Sequence, residues 1–304
     1  MKIGIDLGGS HIGIGVIDED GKILQKKETD LKIEKNSSKV EQFIKTYLQS
    51  SVKELIQKYS IETIGVASPG TPKNGKITSL VNLGIQELDI IEILQEISHL
   101  PIKVHNDAKC AAVAEKRYGS LKEYSDAVFL CLGTGIGGAV FLNNQLLEAK
   151  RNPGFELGHM IIQKDGKLCN CGKRGCFETY CSIKRLKNEL INLLELKQEV
   201  TGQELLEILK QCKEEGKIQE IIDNYVNDLM IGLSNLIDIF EPEAICLGGG
   251  FVYFKDILYK KLLEKYQTEC IVFNKQEMPD LKLAMLGNDA GIIGAGEIEI
   301  EFGI

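Results

Sequence analysis

The sequence predicts an α/β protein of two domains, and three observations predict it. The chain has 304 residues, more than a single hydrophobic core usually organises. Runs rich in β-branched residues alternate with runs of helical periodicity, the pattern of helices covering sheet faces. One local pattern also occurs twice. IGIDLGGSHIGIGVIDEDGKIL and, further on, VFLCLGTGIGGAVFLNNQLL both read strand, glycine turn, strand, tight turn, strand, an internal duplication at the level of supersecondary structure.

Taken in order, Lys2–Leu7 and Ile12–Ile17 are short β-rich runs, and Asp20-Gly21 is a hairpin turn before a third strand, Lys22–Lys27. Ser38–Tyr59 carries Val40, Phe43, Ile44, Tyr47, Leu48 and Leu55 at helical spacing. Ile61–Ala67 reads as a buried strand stopped by Ser68-Pro69-Gly70, and Asn74-Gly75 marks another hairpin. A short strand, Ile102–His105, leads into an alanine-rich helix, Ala108–Arg117. The three-strand pattern then returns as Ala127–Leu132, Gly138–Leu142 and Gln145–Glu148, with Asn143-Asn144 where Asp20-Gly21 stood. Ser182–Phe240 is mostly helical and broken by the charged stretch Lys213–Lys217. Ala244–Leu247 is a strand ending in three glycines, Lys255–Tyr266 a helix, Leu281–Leu286 a strand, and Asp289–Ile298 a last helix. The expected domains are 1–118, with the helix at about 289–304 returning to it, and 119–288.

Composition narrows the function. A net charge of −8 disfavours non-specific nucleic-acid binding and docking on anionic membranes. The start, MKIGIDLGGS, has no apolar signal region, because Asp6 interrupts it. Ala127–Leu147 is uncharged but holds four glycines at 133–138 and an Asn-Asn-Gln break, so it reads as strands about a turn. Most of the nine cysteines sit singly in apolar runs, as reduced buried thiols do. A cytoplasmic protein is expected.

Three strands end in glycine clusters: Asp6–Ser10, Leu132–Gly138 and Gly248–Gly250. Such a turn is either simply tight or a cradle in which backbone N–H groups approach an anion unobstructed by Cβ. Their recurrence within a duplicated pattern favours phosphate binding through Gly8, Gly9, Ser10, Gly133, Thr134, Gly135, Gly137, Gly248, Gly249 and Gly250. The P-loop spacing is absent, and the dinucleotide fingerprint G-x-G-x-x-G is missing after the first strand. Asp6 either satisfies turn N–H groups or holds Mg²⁺ through water. Asn106 and Asp107 follow a strand and open a helix; a carboxylate there caps the helix or serves as a base toward a ligand at the strand end.

His159, Cys169, Cys171 and Cys176 give the spacing H-x₉-C-x-C-x₄-C, a ligand set that suits tetrahedral Zn²⁺. A disulfide between Cys169 and Cys171 would close a strained ring. A nucleic-acid-reading finger would need a second ligand pair and its own apolar core. Free thiols without metal are the remaining alternative. With four protein ligands the ion is structural.

DLGGS at 6–10, HNDAKCAAVAE at 105–115, LGTGIGG at 132–138, ELGH at 156–159, CNCGKRGCFE at 169–178 and LGGG at 247–250 resemble, in this order, the ROK family. That family comprises sugar kinases and sugar-responsive repressors within the hexokinase and actin superfamily. The resemblance implies two RNase-H-like, actin-like ATPase domains with ATP and sugar in the cleft between them. It further implies Asp107 as general base, Asn106 as a sugar partner, and Glu156, His159 and Glu178 facing sugar hydroxyls. Gly70 and Asn82 are implied as sugar contacts from the first domain. His159 would bind Zn²⁺ through one ring nitrogen and sugar through the other, so the zinc braces a sugar-binding loop. A homodimer or homotetramer is implied as well.

The implied activity is phosphorylation of a hexose 6-hydroxyl by ATP with Mg²⁺, most closely that of a glucokinase. Kinases for N-acetylmannosamine, N-acetylglucosamine, fructose or allose are same-class alternatives. A sugar-sensing regulator lacking its DNA-binding segment is the different-class alternative. His11 replaces the lysine or asparagine often found after this first turn. RNPGF at 151–155 departs from the small-residue run that often precedes the glutamate. Glu156 itself is the residue glucokinases carry.

Overall fold

The computed structural model describes residues 1–31, 37–70, 72–73, 75–80, 84–148, 155–197, 200–212, 215–270, 272–273 and 277–298. The chain forms two compact units. One comprises Met1–Lys122, Glu148–Phe155 and Asn288–Ile304; the other comprises Glu123–Leu147 and Glu156–Gly287.

In the first unit the chain runs β1 (Lys2–Leu7), β2 (His11–Ile17), β3 (Ile23–Asp30), α1 (Ser37–Lys58), β4 (Thr63–Ser68), β5 (Lys76–Leu80), β6 (Ile85–Asp89), α2 (Ile90–Gln95), β7 (Ile102–Asn106) and α3 (Asp107–Tyr118). The second unit contributes β8 (Ala127–Leu132), β9 (Ile136–Leu142), β10 (Gln145–Leu146), α4 (Glu178–Cys181), α5 (Ile183–Leu193), α6 (Gly202–Gln211), α7 (Glu215–Phe240), β11 (Ala244–Gly249), α8 (Lys255–Glu269) and β12 (Asp280–Leu283). The chain then returns to the first unit as α9 (Ala290–Glu297).

The two five-stranded sheets share one topology. Their orders are β3-β2-β1-β4-β7 and β10-β9-β8-β11-β12. In each, three antiparallel strands are extended by two parallel ones. The repeat read from the sequence is therefore the antiparallel half of each sheet.

Alternation along β1 and β2 explains how the first sheet is covered. Ile3, Ile5, Leu7, Ile12, Ile14 and Val16 are buried against Val40, Ile44, Leu48, Val52 and Leu55 of α1. The opposite face is paved with glycine, since side chains alternate across a strand. A Cβ on Gly4 or Gly65 would overlap a carbonyl oxygen of α9, from Ile292 and Ala295 respectively, and one on Gly294 would overlap the Cys110 carbonyl of α3. Helix α9 thus lies backbone-to-backbone on sheet and helix alike. Its far end is locked by Glu297, whose buried carboxylate pairs with Lys2 at 3.0 Å and with Arg117.

Several expected bounds shift for physical reasons. Asn143 and Asn144 both adopt positive φ, 52° and 64°, as a two-residue hairpin turn matched to strand twist requires. The third strand of the second repeat stops at Leu146, and Glu148 belongs to the first unit. The helical stretch from Ser182 has an additional break before α6, where Thr201 and Glu204 form a capping box. Lys73 and Lys76 exchange backbone hydrogen bonds; Asn74, of the expected Asn74-Gly75 turn, lies outside the described residues. The longer pairing there is β5 with β6. Among the described residues, no helix is long and apolar enough to cross a membrane.

Candidate functional site

In the first unit, parallel register aligns the carboxyl ends of β1, β4 and β7, with Asp6 opposite Ala67 and Ser68 opposite Asn106. Strand ends of this kind are where open α/β sheets bind ligands. The glycine turn after β1 is closed by the Gly8 amide, which donates to the His11 carbonyl at 2.9 Å. That N–H is already engaged, and Gly9 and the exposed Ser10 form the outer part of the turn. Asn106 is the N-cap of α3: its Oδ1 accepts from the Lys109 amide at 3.1 Å, while its Nδ2 donates to the Gly70 carbonyl at 2.9 Å. Asp107 is the first helical residue and accepts from the Ala108 amide at 2.7 Å. The helix is therefore capped by Asn106, and the two readings left open for Asp107 separate.

Asp6 and Asp107 feel each other. Burial first, and then the Asp107 charge, push the Asp6 carboxyl up to about 6, against the lowering influence of His11 and Lys26. A buried carboxylate beside a second carboxylate favours a cation or a proton. This oxygen-rich pair fits Mg²⁺ bound through water. Asn82 lies outside the described residues. His11 is an ion-pair neighbour of Glu28, with Nε2 3.4 Å from its carboxylate.

The second unit repeats the arrangement. Gly133 donates to the Gly135 carbonyl at 2.9 Å, closing the turn after β8 as Gly8 closes the one after β1. Thr134 is exposed at its tip. Gly137 lies within β9, opposite Cys131. Gly248 ends β11 with Gly249, which has φ of +66° and packs against the Leu132 carbonyl. Gly250 lies against Ile183, and the Lys184 amide donates to the Gly133 carbonyl at 3.1 Å. Two glycine turns and the start of α5 thereby converge. Beside them is a cavity of about 330 Å³ lined by Thr134, Gly135, Glu178, Ser182, Lys184 and Arg185 among others. Arg185 Nε is 2.8 Å from Glu189, and its Nη1 is buried with no hydrogen-bond partner among the described residues. Sequence reasoning missed Lys184 and Arg185, because no motif ties α5 to a turn some fifty residues earlier.

Glu178 Oε2 accepts from the Ile136 amide at 2.9 Å, and a Cβ on Gly135 would overlap that carboxylate. Glu156 is exposed and precedes a short 3₁₀ turn, Leu157–His159, which presents His159.

One ligand atom from each of His159, Cys169, Cys171 and Cys176 lies within 4.8 Å of all the others. His159 Nδ1 is 3.6 Å from Cys169 Sγ, and Cys171 Sγ is 3.6 Å from Cys176 Sγ. These match the edge of a tetrahedron with roughly 2.3 Å bonds, about 3.7 Å. The loop is tied down locally: Ile161 bridges Cys176, Leu168 bridges Arg174, and Gly172 and Gly175 take φ of 87° and 81°. Burial, then the neighbouring thiols Cys171 and Cys169, push Cys176 up to about 12. The Lys173 backbone N–H draws the Cys171 thiol down. A dication would reverse the penalty on Cys176. The donor set fits Zn²⁺.

A profile of the ROK family matches residues 2–301. The chain belongs to the ROK family. A glucokinase of Thermotoga maritima is 30% identical to this ROK chain, with 97% of the chain and 96% of that protein aligned. A xylose repressor of Bacillus spizizenii is 28% identical over 99% of the chain and 77% of the repressor. The crystal structure of a ROK glucokinase from Streptomyces griseus, in complex with glucose and AMPPNP, matches with a TM-score of 0.78 and 25% identity, covering 97% of this chain and 98% of that one. The paired α/β sheets are those of the ROK kinase fold.

Proposed function

We propose that this ROK protein transfers the γ-phosphoryl group of ATP to the 6-hydroxyl of a hexose, with glucose the foremost candidate. The observation that carries this reading is at the start of α3. Asn106 does the capping, which leaves the Asp107 carboxylate beside Asp6 and a glycine turn at the carboxyl edge of the sheet. A regulator that only binds sugar has no use for a pair of crowded carboxylates; phosphoryl transfer uses one as base and one near the metal. The glucokinase relative, aligned along nearly all of both chains, supports the same choice.

In this reading Asp107 accepts the proton of the attacking hydroxyl. In the first unit Asn106 and Gly70, already joined by a hydrogen bond, would contact the sugar. Glu156, His159 and Glu178 receive the other sugar hydroxyls. The outer residues of the first turn, Gly9 and Ser10, and Gly8, Gly133, Thr134, Gly135, Gly137, Gly248, Gly249 and Gly250 surround the phosphates. Mg²⁺, held through water by Asp6, would neutralise developing phosphoryl charge. Zn²⁺ on His159 Nδ1 and the three thiolates would leave the other ring nitrogen of His159 for sugar. A cytoplasmic homodimer or homotetramer accompanies this reading.

Turnover of Mg·ATP against glucose, mannose, fructose, allose, N-acetylglucosamine and N-acetylmannosamine tests it. Glucose should be the fastest acceptor, and absence of turnover with every sugar would end the proposal.

Gly135→Ala offers a finer test. The added Cβ collides with the far end of a flexible side chain, Glu178, so the fold survives by moving that carboxylate. KM for the hexose is expected to rise about tenfold, the loss of one charged hydrogen bond, while the melting temperature stays near that of the parent. An unchanged KM would remove Glu178 from the sugar site.

A further inference from the structure

Lys109 is a buried cation in an unexpected place. Its side chain is only 2% exposed, and it is the third residue of α3. Two physical terms oppose it. Burying an ammonium costs several kcal/mol before any partner is counted, and a positive charge in the first helical turn faces the positive end of the helix dipole. For stability alone, an apolar residue beside Ala108 and Cys110 would serve at least as well.

Its partner gives the reason. Lys109 Nζ is 3.2 Å from Glu148 Oε1, and His105 Nδ1 is 3.6 Å from the same oxygen. His105 is the residue before Asn106-Asp107, and Lys109 is the second after it. One carboxylate oxygen therefore meets the strand-to-helix turn from both sides, paired with Lys109 and lying 3.6 Å from His105. Burial, the larger influence, lowers the His105 pKa against the raising effect of Glu148, so Lys109 supplies the cation of this group. Glu148 is also the residue at which the chain, leaving β10, re-enters the first unit.

We infer that Lys109 and Glu148 form a clamp, completed by His105, that positions the Asp107 carboxylate for proton abstraction. Lys109 is a positioning residue, acting through the turn and not on the substrate. The inference rests on Asp107 being the base, as proposed above.

The test uses the full-length protein with Mg·ATP and its best hexose. Lys109→Met keeps the stem and volume, Glu148→Gln keeps the shape, and the pair is combined. Each single variant is expected to lower kcat about 10- to 100-fold, the scale of a misplaced catalytic group. Calorimetric hexose affinity should stay near parental. The melting temperature should fall in each single variant, which leaves one charge without its counter-charge, and recover in the double variant, where neither charge remains. The double variant should be no worse than the poorer single one, because both break the same clamp. Lys109→Arg, which restores the charge, should recover part of kcat. A parental kcat in Glu148→Gln, a kcat loss that tracks lost melting temperature, or additive losses in the double variant would each overturn the clamp. If Lys109→Met does not fold, Glu148→Gln and Lys109→Arg carry the comparison. Asp107→Asn run alongside separates the two readings. Its full activity would remove the base itself, whereas a dead Asp107→Asn with unaffected clamp variants would remove only the clamp.

Discussion

Asp107→Asn is expected to abolish hexose phosphorylation, lowering kcat by about 10³-fold or more, at the upper part of what a positioned general base contributes. The substitution leaves the helix start intact, because the cap is Asn106 and an amide oxygen at 107 can still accept from the Ala108 N–H. It also removes a like charge from the neighbourhood of Asp6. The Asp6 carboxyl, raised first by burial and then by Asp107, should titrate lower in the variant but above its ordinary range, since burial remains. The sign of the stability effect follows. A carboxyl whose folded pKa exceeds its unfolded value takes up protons on folding, so its contribution weakens the fold as pH rises from about 4 through 6. Relieving part of that shift should hold the melting temperature level or raise it at neutral pH. Asp107→Asn is thus expected to be folded, hexose-binding and inactive. Retained turnover, measured by coupled ADP release, would take Asp107 out of the reaction. A loss of turnover matched by a loss of hexose affinity would reassign it to binding.

What was legible in the sequence is what short-range chemistry specifies. Ile-Gly alternation in IGIDLGG and HIGIGV announces a strand with one apolar face and one bare face, and the bare face is where α9 lies. The candidate metal-binding cluster could be read from the sequence because all four residues fall within eighteen, counting from His159 to Cys176, and their types suit zinc. What stayed hidden depends on register between distant segments. Nothing local shows that Lys184 reaches the Gly133 carbonyl, or that Glu148 crosses back to meet Lys109. Which of Asn106 and Asp107 caps the helix was hidden for a subtler reason. Asn106 and Asp107 are both good N-cap types, and only the strand φ, ψ of −64° and 139° at Asn106 decides between them.

If zinc is bound as proposed, removing Cys176 should damage sugar binding more than catalysis. Cys176 is fully buried, and its backbone pairs with Ile161 while its carbonyl accepts from the Thr179 hydroxyl at 2.6 Å. In Cys176→Ser the protein is expected to lose its equivalent of zinc, as measured by metal analysis after gel filtration. A hydroxyl there is a poor substitute for thiolate, and the cluster keeps only three good ligands. Structural zinc contributes folding free energy directly, about 10 kcal/mol or more in small peptide sites. Here the loop has its own hydrogen bonds and a buried anchor, Phe177, packed against Gly232 of α7. The loop should therefore loosen without unfolding the unit. His159 lies at one end of it and Glu178 follows directly after Phe177, so both lose their fixed placement, and hexose affinity should fall about 10- to 100-fold, as when supporting contacts of a metal site are lost. The chain contains no tryptophan, so calorimetry is the suitable readout. Chelation of the parent protein should reproduce the effect, and added Zn²⁺ should reverse it there but not in Cys176→Ser. Asp107 and the glycine turns are untouched by either treatment, so kcat at saturating sugar should fall far less than affinity. Undiminished hexose affinity in zinc-free protein would make the cluster a structural ornament of the second unit and leave His159 without a role toward sugar.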